Sequence, residues 1–395
     1  NRVRRQRQMC IRDSGRTPWG TYLTCEENFN NYFSSSDKNF KSTDELHRYG
    51  IRTREIGLNW AKADSRFDLS KEVNEPNKVG YVVEIDPLNP NSTPKKHTAL
   101  GRFKHENAEL VISKDGKIIV YMGDDERGEY LYKYVSNESI NEVKDKSTLL
   151  SNGNLYVAKF NDNFTGEWLL LDTQTTGLSS KAEVCIFTRL AASKVGATTM
   201  DRPEWIASNP KKNEVCCCLT NNKNRGIKTN KGGDKVDVDK VNPRKNNKYG
   251  QIVRWKPRDN NHSSVYFEWD LFVVAGNPNV HDDNNRGSKN IDKENMFNSP
   301  DGLKFDKHGR LWIQTDGNYS NSGDFKGMGN NQMLIADTNT GKIKRFMVGP
   351  KECEVTGLTF APDYKTVFVG IQHPGERFGS NSVSYTHLTL PTNTV

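Results

Sequence analysis

Four acidic residues recur in one local setting, and their chemistry is the first thing the sequence offers. They are Glu106 in Glu106-NAELVISKDGKIIVYMGDD, Glu204 in Glu204-WIASNPKKNEVCCCLTNN, Asp301 in Asp301-GLKFDKHGRLWIQTDG and Glu354 in Glu354-VTGLTFAPDYKTVFVGIQH. Each is followed by a short apolar run, a turn rich in Gly, Asn, Asp, Pro or Lys, and a second run ending in polar residues. That order predicts a β-hairpin. The acids are 98, 97 and 53 residues apart, which predicts a unit of about 50 residues with a weakly marked extra unit inside each long gap; repeats of that length built of hairpins read as propeller blades. The innermost strand of each blade lines a central channel, so four acids in register converge on its mouth. Bare carboxylates there would repel one another, and hard cations remove that cost. A single acid opening a strand would be only a turn or capping residue; four in register favour a metal site.

The elements that must position these acids are short strands. Further runs, such as Glu129-YLYKYV, Leu155-YVAKF, Gln251-IVRW, Val265-YFEWDLFVVAG and Met333-LIAD, complete the blades, and no helical period lasts beyond a turn or two. The expected fold is all-β, a propeller of about six blades with polar insertions at 137–154, 222–248 and 277–297. The 395 residues are 34% hydrophobic and 27% charged with 31 glycines, which suits short strands and many turns. No stretch of eighteen apolar residues occurs, so a transmembrane helix is excluded. Half of the net charge of +8 sits in the first fourteen residues, and the rest is scattered through Asn/Lys loops. That leaves no basic stripe for nucleic acid.

Both ends read as foreign to the body. Residues 1–14 and 383–395 resemble translated sequencing-adapter sequence and are set aside, which leaves 15–382 as the propeller, expected to be incomplete at both termini and without information on an export signal. With Cys10 set aside, six cysteines remain. Cys216, Cys217 and Cys218 are consecutive, and neighbours on a strand face opposite ways; buried or half-buried free thiols are expected, and no zinc spacing is present. No GxSxG elbow, HExxH helix, P-loop or strand-GxGxxG-helix unit occurs.

Seven segments, in order, carry a resemblance: Thr17-PWGTYLTCEENFNNYF, Gly101-RFKHENAELV, Tyr121-MGDDERGEYLYKYVS, Asp201-RPEWIA, Leu219-TNN, Asn298-SPDGL and Ile371-QHPGE. Together they resemble the PhoX-type alkaline phosphatase family across nearly all of 15–382. The resemblance implies a periplasmic or extracellular β-propeller phosphatase that hydrolyses small phosphate monoesters, acting as a monomer, with a cofactor of ferric iron (Fe3+) and calcium (Ca2+). It makes Cys25 the iron-bound thiolate and Glu106, Glu204 and Asp301 carboxylate ligands; the repeat adds Glu354, and Glu26 beside Cys25 completes the expected set. From the residues alone Cys25 reads as a buried structural thiol. Asp124, Asp125 and Glu126 read equally as calcium ligands or as a solvated loop.

Arg202 is the expected phosphate-binding residue, because its guanidinium can grip a phosphate with two prongs; a salt bridge to the nearby carboxylates is the competing role. Pro203 biases Arg202 toward an extended conformation, which would aim Arg202 and Glu204 to one side. His105 and His373 are given no catalytic part. Two other functions fit a propeller with acids at its mouth: a calcium-dependent lactonase and a non-catalytic interaction scaffold. The Cys25-Glu26-Glu27 run and Arg202 argue against the lactonase; the scaffold predicts an ion-free channel and exposed aromatic patches on one face.

Overall fold

The computed structural model describes residues 14–375. Among them, consecutive antiparallel strands form five meanders, as a propeller requires: β1 to β4 (Ser14–Arg16, Tyr22–Cys25, Val82–Ile85, Lys95–His97), β5 to β9 (Glu109–Ile112, Lys117–Gly123, Leu131–Ser139, Gly153–Phe160, Thr165–Leu171), β10 to β13 (Pro203–Ser208, Val215–Leu219, Gln251–Pro257, Tyr266–Val274), β14 to β17 (Pro300–Phe305, Arg310–Thr315, Gln332–Asp337, Ile343–Val348) and the pair β18 and β19 (Glu354–Phe360, Val367–Gln372). We refer to these as the first to fifth blades. The second and third also join at their outer edges, where Tyr266, Phe267 and Glu268 pair with Glu167, Gly166 and Thr165. Hairpins between the first two strands of a blade close where the sequence places Gly: Gly116 and Gly309 adopt φ of 76° and 79°, a conformation only glycine enters without cost.

The extra unit expected inside each long gap is not there. The residues between Glu106 and Glu204 form one five-stranded blade followed by three short helices, α3 to α5 (Thr173–Thr176, Lys181–Ile186, Thr188–Lys194); α1 and α2 (Asp44–Arg48, Trp60–Ala63) lie in the first blade's long connection. The residues between Glu204 and Asp301 form one four-stranded blade, and the remainder goes into the loops 220–250 and 275–299.

Apolar layers between blades hold the ring together. Leu23, Cys25 and Val82 of the first blade pack with Val120, Met122 and Tyr132 of the second. Ile119 and Tyr121 on the opposite face of β6 pack with Ile206, Cys217 and Trp255 of the third. Cys216, Cys218 and Ile252 pack with Leu303, Ile313 and Leu334 of the fourth, and Trp312 and Met333 pack with Val355 and Leu358 of the fifth. A strand buried on both faces needs apolar residues at every position, not every second one. Cys216, Cys217 and Cys218 follow from this: all three are buried free thiols, alternating between two layers, with pKa values raised by burial. Among the described residues no helix is long and apolar enough to cross a membrane.

One layer encloses a lysine that has no carboxylate partner among the described residues. Lys133 is fully buried, stands over the Trp168 and Tyr156 rings, and donates to the carbonyls of His262 and Ser264 at 3.3 and 2.6 Å. A neutral amine can make both bonds, and burial lowers the Lys133 pKa from 10.5 to about 7. Between those values the unfolded chain holds the extra proton, so this residue's contribution to stability rises with pH across that window and is lowest below it. In Lys133→Met the two hydrogen bonds go but the titration goes too. Calorimetric melting should show the variant most favourable relative to the parent near pH 6.5 and least favourable near pH 10; a pH-independent difference would mean the ammonium stays charged in the fold.

Candidate metal centre and phosphate site

The acids reach the channel through one repeated irregularity. On β10 one extra residue intervenes between the pairs Pro203–Leu219 and Ile206–Cys217, on β14 between Pro300–Thr315 and Leu303–Ile313, and on β18 between Val355–Ile371 and Leu358–Val369. The bridge His105–Asp124 ahead of Glu109–Tyr121 repeats the same slip at β5. Such a bulge bends the strand and re-aims a side chain, and in all four blades it falls at or next to the acid. In three of them the residue two before the acid is left-handed: Arg202, Ser299 and Glu352 have φ of 56°, 49° and 59°. Arg202 is therefore not extended, as its place before Pro203 suggests; the kink at the entry to the inner strand outweighs the local bias.

A second repeat brings in further carboxylates. The carbonyls of Lys104, Arg202 and Ser299 accept from the backbone N–H of Asp125, Thr220 and Asp316 at 3.0, 3.1 and 3.1 Å. Asp125 and Asp316 thus occupy matching places, just past the second strand of their blades. Glu27 enters from the first blade, two residues after Cys25.

The result is three linked carboxylate groups: Glu27, Glu106 and Asp125; Glu106, Glu204 and Asp301; and Asp301, Asp316 and Glu354, each with one oxygen per residue within 4.8 Å of the others. Glu106 and Asp301 belong to two groups each, so five blades feed one continuous row. At that spacing every pair of full charges would repel by about 3 kcal/mol at an effective dielectric of about 20. Glu204 shows the strain: burial, then Asp125 and Asp301, push its pKa well above the carboxylate range. An all-oxygen donor set of this density fits hard multivalent cations such as calcium or ferric iron.

Of the ligands expected from sequence, Glu106, Glu204, Asp301 and Glu354 stand in this row. Glu26 does not. Its carboxylate accepts from the N–H groups of Gly80 and Tyr81 at 2.9 and 3.1 Å and from Lys96 at 2.9 Å. Cys25 is buried among Leu23, Val82 and their neighbours and is not part of the three groups. On extended backbone Leu23, Cys25 and Glu27 share a face, and that alternation would have selected Glu27 over Glu26. Asp125 was one of two readings of an acidic cluster, and Asp316 was missed; its signal is the match between the TDG after β15 and the GDD at the end of β6.

The rest of the acidic loop is structural. Asp124 is fully buried against Arg189, and Glu126 pairs with Lys104 and Lys231. Arg202 donates from Nε and Nη2 to both oxygens of Asp125, at 2.6 and 2.9 Å, and Nη2 lies 3.1 Å from Glu204. Although burial opposes it, the Arg202 charge holds Asp125 below its ordinary range. His105 bonds the carbonyl of Gly101 at 2.9 Å and stacks on Phe103, and burial lowers its pKa to about 3; it stays neutral and serves the fold.

Shared ligands make a distinct forecast. In metal analysis of the purified protein, Glu106→Gln should lose ions from two positions, and Glu27→Gln from one. Equal losses in the two variants would mean that Glu106 does not bridge.

The profile of the alkaline phosphatase PhoX family matches residues 13–375. The structure of Pseudomonas fluorescens PhoX in complex with vanadate, a transition state analogue, superposes with a TM-score of 0.88 at 55% identity, over 93% of this chain and 65% of that one. This chain therefore spans just under two thirds of that relative. A gluconolactonase from Xanthomonas campestris aligns over 73% of this chain and 62% of its own at 10% identity and a TM-score of 0.31, too low to bear on fold or function. No curated protein sequence matches the chain. With its family profile spanning nearly the whole body and its carboxylates gathered in the channel, the chain belongs to the alkaline phosphatase PhoX family.

Proposed function

We propose that this chain is a metal-dependent phosphatase that hydrolyses small phosphate monoesters to inorganic phosphate outside the cytoplasm, working as a monomer. The observation that carries the reading is the vanadate complex of a relative with 55% identity, joined to a row of carboxylates beside an arginine. Glu27, Asp125, Glu106, Glu204, Asp301, Asp316 and Glu354 would hold the cations, which we take to be Fe3+ and Ca2+. Bound there, such ions supply Lewis-acid polarisation of the phosphoryl oxygens.

The chain's own groups do the positioning. Arg202 is locked by Asp125 on two nitrogens while its Nη1 makes no hydrogen bond among the described residues, so one prong can donate to a phosphoryl oxygen without losing its anchor. A donor fixed before substrate arrives needs no reorganisation as charge develops. Asp125, kept ionised by Arg202, stays available as a ligand. Cys25, on the same face as Glu27, is the thiolate we assign to iron, a ligand that ferric iron accepts and calcium does not.

The test is metal analysis of the purified chain with an assay on a generic aryl phosphate, before and after chelation. Arg202→Lys should keep its metals while kcat/KM falls by about 10²- to 10³-fold; loss of metals at unchanged phosphate affinity would make Arg202 only a partner of Glu204 and Asp125. Cys25→Ser should lose iron and most activity with the fold retained, and an iron-replete, active variant would remove the thiolate from the scheme.

A further inference from the structure

Among the described residues, most cations around the acidic loop are matched to anions. Arg189 holds Asp124, Arg48 holds Glu129, Lys104 and Lys231 hold Glu126, and Arg202 holds Asp125. Arg127, in the centre of the same loop, has no ion pair and no side-chain hydrogen bond among the described residues, and its Nε is buried without an acceptor. Its backbone bridges to Asp201, which places it beside Arg202 at the entry to β10. It lies within electrostatic range of Arg202 and of Glu126, Asp125 and Glu204. Two guanidinium groups side by side repel, and a buried N–H without an acceptor is costly. A doubly charged anion between them would relieve the repulsion.

We infer that Arg127 is a substrate-binding residue, its two terminal nitrogens receiving the phosphoryl group opposite the Nη1 of Arg202. The inference rests on the phosphatase reading. It divides labour between the two arginines: Arg202 spends two nitrogens on holding Asp125 and contributes one prong, whereas Arg127 spends none on an ion pair among the described residues and can offer its two terminal nitrogens to the two-pronged geometry that phosphate accepts. The released product, inorganic phosphate, would be held by the same pair.

The experiment compares the metal-loaded parent with Arg127→Met and Arg127→Lys, measuring metal content, steady-state kinetics on an aryl phosphate, and calorimetric binding of inorganic phosphate. Expected for Arg127→Met are unchanged metals and a rise of about 10- to 100-fold in both KM and the phosphate dissociation constant, the loss typical of charge-assisted hydrogen bonds. Arg127→Lys should recover only part of it. Phosphate affinity within twofold of the parent, in a variant that keeps its metals, overturns the inference and leaves the phosphatase reading standing. Should Arg127→Met lose its metals or its fold, Arg127→Lys decides: weakened phosphate binding with metals retained upholds the role, and unchanged binding overturns it. A parent that holds metals yet does not turn over aryl phosphate defeats the phosphatase reading instead, and the phosphate calorimetry then still decides whether Arg127 binds the anion.

Discussion

Everything in this molecule answers to one constraint: seven carboxylates from five blades are held closer together than their charges allow unaided. Repulsion among them must be resisted mechanically and offset electrically. The mechanical part comes from the apolar layers between blades, which fix how near the inner strands approach. Because the layers are contributed by alternate residues of the same strands, moving one blade outward would open two layers at once. Interiors packed at crystal-like density do not yield in that way without large cost.

The electrical part is graded along the row. Arg202 stands between Asp125 and Glu204 but serves Asp125 with two nitrogens and Glu204 with one. The first is driven toward ionisation and the second away from it. Loading cations into such a row is therefore an exchange of protons for metal, and affinity gains as pH rises.

How much of this could be read from the chain depends on what each feature obeys. Glu106, Glu204, Asp301 and Glu354 were legible because a repeat displays equivalent positions side by side. Asp316 obeys the same repeat at the end of the second strand, but polar residues are ordinary there, and the match of TDG to GDD gains its meaning from the equivalent backbone bonds of Asp125 and Asp316. The choice between Glu26 and Glu27 lay in a period of two that the buried Leu23 and Cys25 already reveal. The left-handed turn at Arg202 could not be read, since pre-proline preference is a local bias and the kink is imposed by the blade around it. The helices α3 to α5 were hidden by their brevity; a capping box at Asp172 and Thr175 starts the first, and at four to seven residues none shows a face long enough to register as a period.

The bulges make the molecule unequal in its tolerance of changed length. Long polar connections such as 275–299, between the third and fourth blades, can lengthen or shorten at little cost, because loop closure depends only weakly on residue number. Directly after each acid the chain has no such freedom. Removing a single residue there would restore a regular ladder and take away the bend that aims the acid. Divergent members of such a family can therefore differ widely in size while the few residues following each channel acid keep a fixed count. Insertions and deletions, more than substitutions, are what this architecture forbids at its centre.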